Sequence, residues 1–257
     1  MVRATHFMEQ KPGHIHPLSH VIGDCIKIFH DLGFEYAEGP EIESEKYNFD
    51  SLNIPAHHPA RDMWDTFWLK PDNSRRLLRT HTSPVQVRYM ENHKPPLRII
   101  APGKVFRREA TDATHEMQFY QLEGLAVGPD ISLANLKWLL EQFFGKFFGT
   151  TSSVRFRPSF FPFVEPGVEI DVQCFSCGGT GKKKTGEQCS LCKSTGWIEI
   201  MGAGMVHPRV LQEVGIDPRE QRGFAFGVGI DRLVMLKYGI DDVRTLYNGD
   251  LRLVNQF

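Results

Sequence analysis

Four of the five cysteines fall in one stretch, CFSCGGTGKKKTGEQCSLCKSTGW, which runs from Cys174 to Trp197. They form two CxxC pairs, Cys174/Cys177 and Cys189/Cys192, with eleven residues between them. That spacing suits four thiolates around a tetrahedral Zn2+. Gly178, Gly179, Gly181 and Gly196 permit the tight turns such knuckles need. The strand-like runs VEIDVQ and WIEI flank the stretch, so a metal closed here pins two strands side by side and sits at a hairpin tip. Four thiolates leave no coordination place for water, which makes the metal structural and not catalytic. Lys182, Lys183 and Lys184 offer a contact with RNA, but a lysine run in a loop is usually just solvated, and stapling is the stronger reading.

The rest of the chain reads as an ordinary globular protein. Its 257 residues suffice for one large domain with its own core. The net charge of -1 excludes a protein that grips long nucleic acid unaided, which needs a basic surplus. No apolar run approaches the roughly 20 residues of a membrane helix, and the first residues have no signal-peptide character; a cytoplasmic location is expected. Cys25 lies on the apolar stripe of a predicted helix and reads as a small buried hydrophobe.

Periodicity predicts a helix over 16–33, with Pro17 in its first turn and Gly33 at its end. A second helix spans 130–148 with Asp130 as N-cap, and another follows Pro84. FEYAEGPEIE reads as a strand interrupted at Gly39-Pro40, RRLLRTHTSP as a strand, and LRIIAPGKVFRRE as two strands around a Pro-Gly turn. MQFYQLEGLAV, the run around SVRFRPSFFPFVEPGVEIDVQ, WIEIMGAGMV and FAFGVG supply further strands. Turns rather than regularly alternating helices join most of them. The expected fold class is α+β, an antiparallel sheet flanked by helices.

Side chains alternate along a strand. Alternation puts Phe119, Gln121 and Glu123 on one face, Arg107 with Glu109, Phe161 and Phe163 with Glu165, and Ala225 with Gly227 and Gly229. A solvated sheet face accounts for Arg107 and Glu109, but poorly for the phenylalanines and the three small residues. Together these faces suit the floor of a polar pocket. GVGIDR lacks the third glycine of a dinucleotide fingerprint, because Arg232 stands there. Its glycines instead let a flat ring approach the backbone, with the Arg232 guanidinium free to stack on a base or meet a phosphate.

Five long segments then carry a resemblance: YNFDSLNIPAHHPARDMWDTFW, LLRTHTSPVQVRYM, VFRREATDATHEMQFYQLEG, RFRPSFFPFVEPGVEIDV and FAFGVGIDRLVML. In this order they resemble the α-subunits of bacterial phenylalanyl-tRNA synthetases, class II aminoacyl-tRNA synthetases. The likeness runs from about His16 to Phe257. The resemblance implies a class II synthetase fold and catalytic domain over 16–257, an N-terminal extension over 1–15, and a zinc-binding insertion over 173–197. It implies activation of L-phenylalanine with ATP and transfer to the 2′-hydroxyl of the terminal adenosine of tRNA(Phe).

Residue by residue, the resemblance implies that Arg107 holds the ATP α-phosphate and stabilises charge during adenylate formation. Phe119 and Arg232 stack on the two faces of adenine over Gly227 and Gly229, and Glu109 and His115 lie along the ATP. Gln121 and Glu123 hold the substrate ammonium, with His81, Ser83 and Gln86 around the amino acid. Phe161 and Phe163 pack on the substrate ring, and Ala225 bounds its para position. Glu165 helps bind Mg2+.

The implied partner is a β-subunit, in an α2β2 heterotetramer, which in this family carries the editing site. The family's N-terminal coiled coil has no counterpart in about fifteen residues ahead of the first motif, and no anticodon-binding domain follows. The alternative expectation is a paralogue that binds or activates an amino acid without charging tRNA. Retention of Arg107 weighs against it. CFSCGGTG also resembles the zinc repeats of DnaJ-type chaperones, but CSLCKSTG departs from that pattern and no J-domain is present.

Overall fold

The structure, a computed structural model, describes residues 13–61, 66–150 and 153–257. Most of the expected 1–15 extension and residues 62–65 of the long loop therefore lie outside the described residues.

The chain opens with α1 (Pro17–Asp31), where the His16 ring accepts the Leu18 N–H at 3.2 Å and Pro17 fills the first turn. Gly33 ends it at φ +83°, with the Phe34 N–H returning to the Phe29 carbonyl. The interrupted strand becomes β1 (Glu35–Tyr36) and β2 (Ile42–Ser44), followed by the short α2 (Glu45–Asn48) and then β3 (Arg76–Leu78). The expected strand through 84 stops at Leu78. Beyond it the Asn48 side chain accepts the Thr80 N–H at 3.3 Å and donates to the Thr80 hydroxyl at 3.0 Å, where a ladder partner would otherwise stand. Next come α3 (Pro84–Asn92), β4 (Leu97–Phe106), β5 (Gln118–Gly128) and α4 (Leu133–Phe148). β6 (Val154–Phe161), β7 (Val164–Gln173), β8 (Trp197–Val206), α5 (Pro208–Glu213), β9 (Arg222–Gly229), α6 (Ile230–Tyr238) and α7 (Leu251–Val254) complete it.

Three expectations are corrected. The Pro-Gly turn at 102–103 does not form; β4 runs straight through, paired with β5 as Pro102↔Leu122. β1 covers β4 only at Ile99 and Ile100, so Pro102 sits on an open edge where a missing N–H breaks no ladder. The N-cap of α4 is Ser132, not Asp130, because Ser132 and Asn135 exchange side-chain and backbone bonds in a capping box. Phe161, Phe163 and Glu165 do not share one strand face, since a hairpin turn at 162–163 separates β6 from β7.

Among the described residues seven strands form one sheet in the order β1-β4-β5-β9-β8-β7-β6. Only β1 and β4 run parallel. One face is covered by α1, α4 and α6, whose Val21, Phe29, Leu140, Phe143 and Leu233 pack with Leu122, Ile170 and Phe226 of the sheet. Phe29 is the hub, stacked on Phe143 at 4.6 Å and on Phe226 at 5.4 Å. Gly124 leaves room for Phe226, whose ring atoms a Cβ there would meet at 2.0 Å. The other face is only partly covered, by α3, α5 and the segment around Phe49 and Leu52. The uncovered middle of that face holds the site.

Candidate active site

The alternation that buries Leu122 and Phe226 turns Gln121, Glu123, Ala225 and Gly227 to the opposite face, into a cavity of about 380 Å3. The register sets Glu123, Gly227 and Gly202 side by side across β5, β9 and β8. A Cβ on Gly202 would stand 2.8 Å from the Phe161 ring, and one on Gly227 3.4 Å from Glu123 Oε2. Glycines here let a ring and a carboxylate lie on the sheet. Phe161, ending β6, and Phe163, in the hairpin turn, stack with centroids 6.0 Å apart and give the cavity an apolar end bounded by Ala225.

Glu123 is the polar centre. It is 4% exposed, and burial pushes its carboxyl up from 4.5 to about 7 against the opposing pull of its hydrogen bonds. The Thr82 and Ser83 hydroxyls each donate to it at 3.0 Å, and the Gln86 amide donates from the first turn of α3. The Gln121 Oε1, also buried, has no donor among the described residues. Two buried acceptors, one of them a carboxylate, thus face one space. An ammonium, with three N–H donors, satisfies such a pair.

His81 lines the same cavity, its ring 6.2 Å from that of Phe163. Burial first, then the Arg107 charge, pushes it down to about 3, so the ring is neutral at physiological pH. Apart from a contribution of the Asn48 backbone, neither ring nitrogen has a partner among the described residues. Arg107 closes the polar end. Its Nε donates to the Thr80 carbonyl at 3.1 Å, and its guanidinium lies 5.0 Å over the Phe119 ring. The cavity therefore runs from an apolar slot, past paired acceptors, to a fixed cation.

Nine of the expected residues line this cavity: Arg107, Gln121, Glu123, His81, Ser83, Phe161, Phe163, Ala225 and Gly227. Gln86 stands behind Glu123 and Phe119 beneath Arg107. Glu109 and His115 are on the loop between β4 and β5; His115 turns to Asp112 at 3.0 Å. Gly229 pairs with Gln121. Arg232 lines a second hollow of about 450 Å3, with the Arg155/Arg157–Asp171 ion cluster and Glu199. Glu165 lines a third, of about 230 Å3, near His207 and Arg209. Thr82 and Gly202 were missed. Thr82 lies in the expected strand through 84, which alone gives no reason to single it out. The glycines of MGAGMV were the one hint of Gly202.

The cysteine stretch is the tip of the β7–β8 hairpin, where Gln173 pairs with Trp197. All four sulfurs lie within 4.8 Å of one another, Cys174–Cys189 at 3.9 Å and Cys177–Cys192 at 3.7 Å. Thiolates about 2.3 Å from a tetrahedral zinc stand roughly 3.8 Å apart, so this donor set fits. The Gly181 and Gly196 N–H groups donate to Cys177 and Cys192 Sγ at 3.3 Å, which favours the thiolate form.

The sequence matches the family of tRNA synthetases class II core domain (F) over residues 3–257. It is 55% identical over 249 residues to the phenylalanine–tRNA ligase alpha subunit of Dehalococcoides mccartyi, covering 95% of this chain and 70% of that one. It is 54% identical over 244 residues to that of Bacillus subtilis, covering 94% and 68%. Among solved structures, pyrrolysyl-tRNA synthetase from Desulfitobacterium hafniense superposes with a TM-score of 0.64 at 19% identity, over 91% of this chain and 74% of that one. That last likeness concerns the fold.

Proposed function

From a chain that belongs to the class II tRNA synthetases, among the phenylalanine–tRNA ligase alpha subunits, we infer how its site charges tRNA(Phe). The observation that carries the reading is the order of groups along one cavity: aromatic slot, paired acceptors, cation. Phenylalanine fits it end to end, with its ring between Phe161, Phe163 and Ala225, its ammonium on Glu123 and Gln121, and its carboxylate toward Arg107. Ser83 and Gln86 fix the Glu123 carboxylate, and neutral His81 adds no competing charge.

In the first step a carboxylate oxygen attacks the α-phosphorus of ATP. A P–O bond forms, the bond to the β-phosphate breaks, and pyrophosphate leaves. No side chain needs to move a proton; positioning and charge neutralisation supply the rate. Arg107 meets the charge on the α-phosphate. Phe119 and Arg232 hold adenine above Gly227 and Gly229, and Glu109 and His115 follow the rest of the nucleotide. Glu165 would be the residue to help hold a Mg2+, which would add neutralising charge, although among the described residues it lines the neighbouring hollow with His207 and Arg209 and not the Arg107 cavity. In the second step the terminal 2′-hydroxyl attacks the activated carbonyl carbon, the bond to the phosphate oxygen breaks, and AMP leaves with its phosphate taking up the hydroxyl proton. The slot excludes larger side chains but discriminates a hydroxyl poorly.

The four thiolates hold Zn2+ as a cross-link of the hairpin. The catalytic domain takes in 16–257, with 173–197 inserted and 1–15 an extension. The working form is an α2β2 heterotetramer with the β-subunit, in the cytoplasm. Among the described residues no helix is long and apolar enough to cross a membrane. A paralogue that does not charge tRNA is not favoured, since the relatives above are ligase subunits.

The test is ATP–pyrophosphate exchange across the twenty amino acids, with and without a matching β-subunit. Exchange that depends on phenylalanine and rises with β is expected. Exchange with none of them, β included, overturns the reading.

A further inference from the structure

β5 and β9 pair as far as Gln121↔Gly229, and there the ladder ends, because β9 turns into α6 at Ile230. β5 continues to Phe119 and Gln118 with only β4 beside it. The Tyr120 N–H, on the side where a strand partner has gone, is taken by the Asp231 carboxylate, Oδ2 at 2.7 Å. Its other oxygen accepts the Tyr247 hydroxyl. Asp231 is 5% exposed, a costly place for a carboxylate without a function.

Tyr120 follows Phe119 and Asp231 precedes Arg232. One carboxylate thus ties the backbone next to one adenine-stacking residue to the backbone next to the other. The segment that carries Tyr247 also grips the loop between β4 and β5, through the Val243 N–H to the Ala113 carbonyl at 2.9 Å. Helix α6 has no side-chain N-cap, so beyond the packing of Ile230 and Leu233 its first turn is held by the Asp231 hydrogen bonds.

We propose that Asp231, locked by Tyr247, is a positioning residue that sets the spacing between Phe119 and Arg232 and so the affinity for ATP. This rests on the reading of those two residues as the adenine slot. Asp231 touches no substrate; it replaces the missing strand where the slot must open. A helix start held only by packing would swing Arg232, whose side chain is exposed and has no hydrogen bond or ion pair among the described residues.

The experiment uses the complex with its β-subunit and measures KM for ATP and for phenylalanine in pyrophosphate exchange. Variants are Asp231→Ala, Asp231→Asn and Tyr247→Phe, with Phe119→Ala and Arg232→Ala as slot controls. Asp231→Ala should raise KM for ATP about tenfold and leave KM for phenylalanine within about twofold. Asn, which can still accept from Tyr120, should recover much of the loss, and Tyr247→Phe should give a smaller rise in the same direction. If slot controls raise KM for ATP while Asp231 and Tyr247 variants do not, the clamp is overturned. Both KM values rising together, or a lower unfolding temperature with unchanged KM, also overturns it as a merely structural contact. Should Asp231→Ala not fold, Tyr247→Phe decides. If the slot controls leave KM for ATP unchanged, the slot reading fails, and the clamp with it.

Discussion

Glu123, proposed above to hold the substrate ammonium, would couple substrate binding to pH. Its carboxyl is raised to about 7 by burial, and an ammonium binds only the ionised form. Phenylalanine binding should therefore weaken as pH falls below about 7, and near pH 6, on the order of one unit below, binding should release a proton. Calorimetry in buffers of different ionisation enthalpy reads this directly; no buffer dependence would contradict it. In the free protein the sign is reversed for stability. Between 4.5 and about 7 the native state keeps a proton that the unfolded chain has lost, so this group lowers stability as pH rises through that window. Glu123→Gln removes the pH dependence and should weaken phenylalanine binding by about 1.5–3 kcal/mol, the scale of a charged hydrogen bond. Ala225→Gly should admit para-substituted phenylalanines; an unchanged range in the exchange assay would remove Ala225 from the slot wall. The strand faces of Glu123 and Ala225 were legible from alternation, while the roles expected of them came from the family resemblance. Thr82 was not, because its role depends on the irregular turn fixed by Asn48 and Thr80.

The β7–β8 hairpin is the element where sequence and structure agree most closely. Four sulfurs were expected at its tip and are found within 4.8 Å of one another. The two knuckles interlock, since a Cβ on Gly181 would strike the Ser194 carbonyl at 2.3 Å and one on Gly196 the Gly179 carbonyl at 2.2 Å. A metal held there, as proposed, would add a tie across a tip whose Phe175 already stacks on Phe148 at 4.5 Å. The purified chain should carry about one zinc by atomic emission. Chelation should lower its unfolding temperature, and Cys177→Ser should do the same without added chelator. A zinc content near zero, or a chelator that leaves the unfolding temperature in place, would contradict this. The straight β4 went the other way. A Pro-Gly pair signals a turn locally, but Pro102 sits where β1 has already ended, and only the sheet reveals that edge.

At the scale of the molecule, the sheet separates support from chemistry. Helices on one face make a continuous aromatic core; the other face is left open at its middle. Phe29→Ala removes the hub of the closed face and should cost about 3–5 kcal/mol of stability. Denaturant unfolding checks the size, and exchange kinetics on the folded fraction should keep its KM for phenylalanine; a cost below about 1 kcal/mol would mean that the hub is dispensable. Residue types, their period along each strand and the spacing of the cysteines were in the sequence, because those signals are local. They determined the α+β class, the polar strand faces and the four-cysteine hairpin. Which faces meet was decided only by the tertiary structure. The register that sets Glu123 beside Gly227 and Gly202, the hairpin turn that separates Phe163 from Phe161, and the Asp231 bond to Tyr120 all join residues distant in the chain, and the spacing of residues along one strand does not encode its alignment with the next.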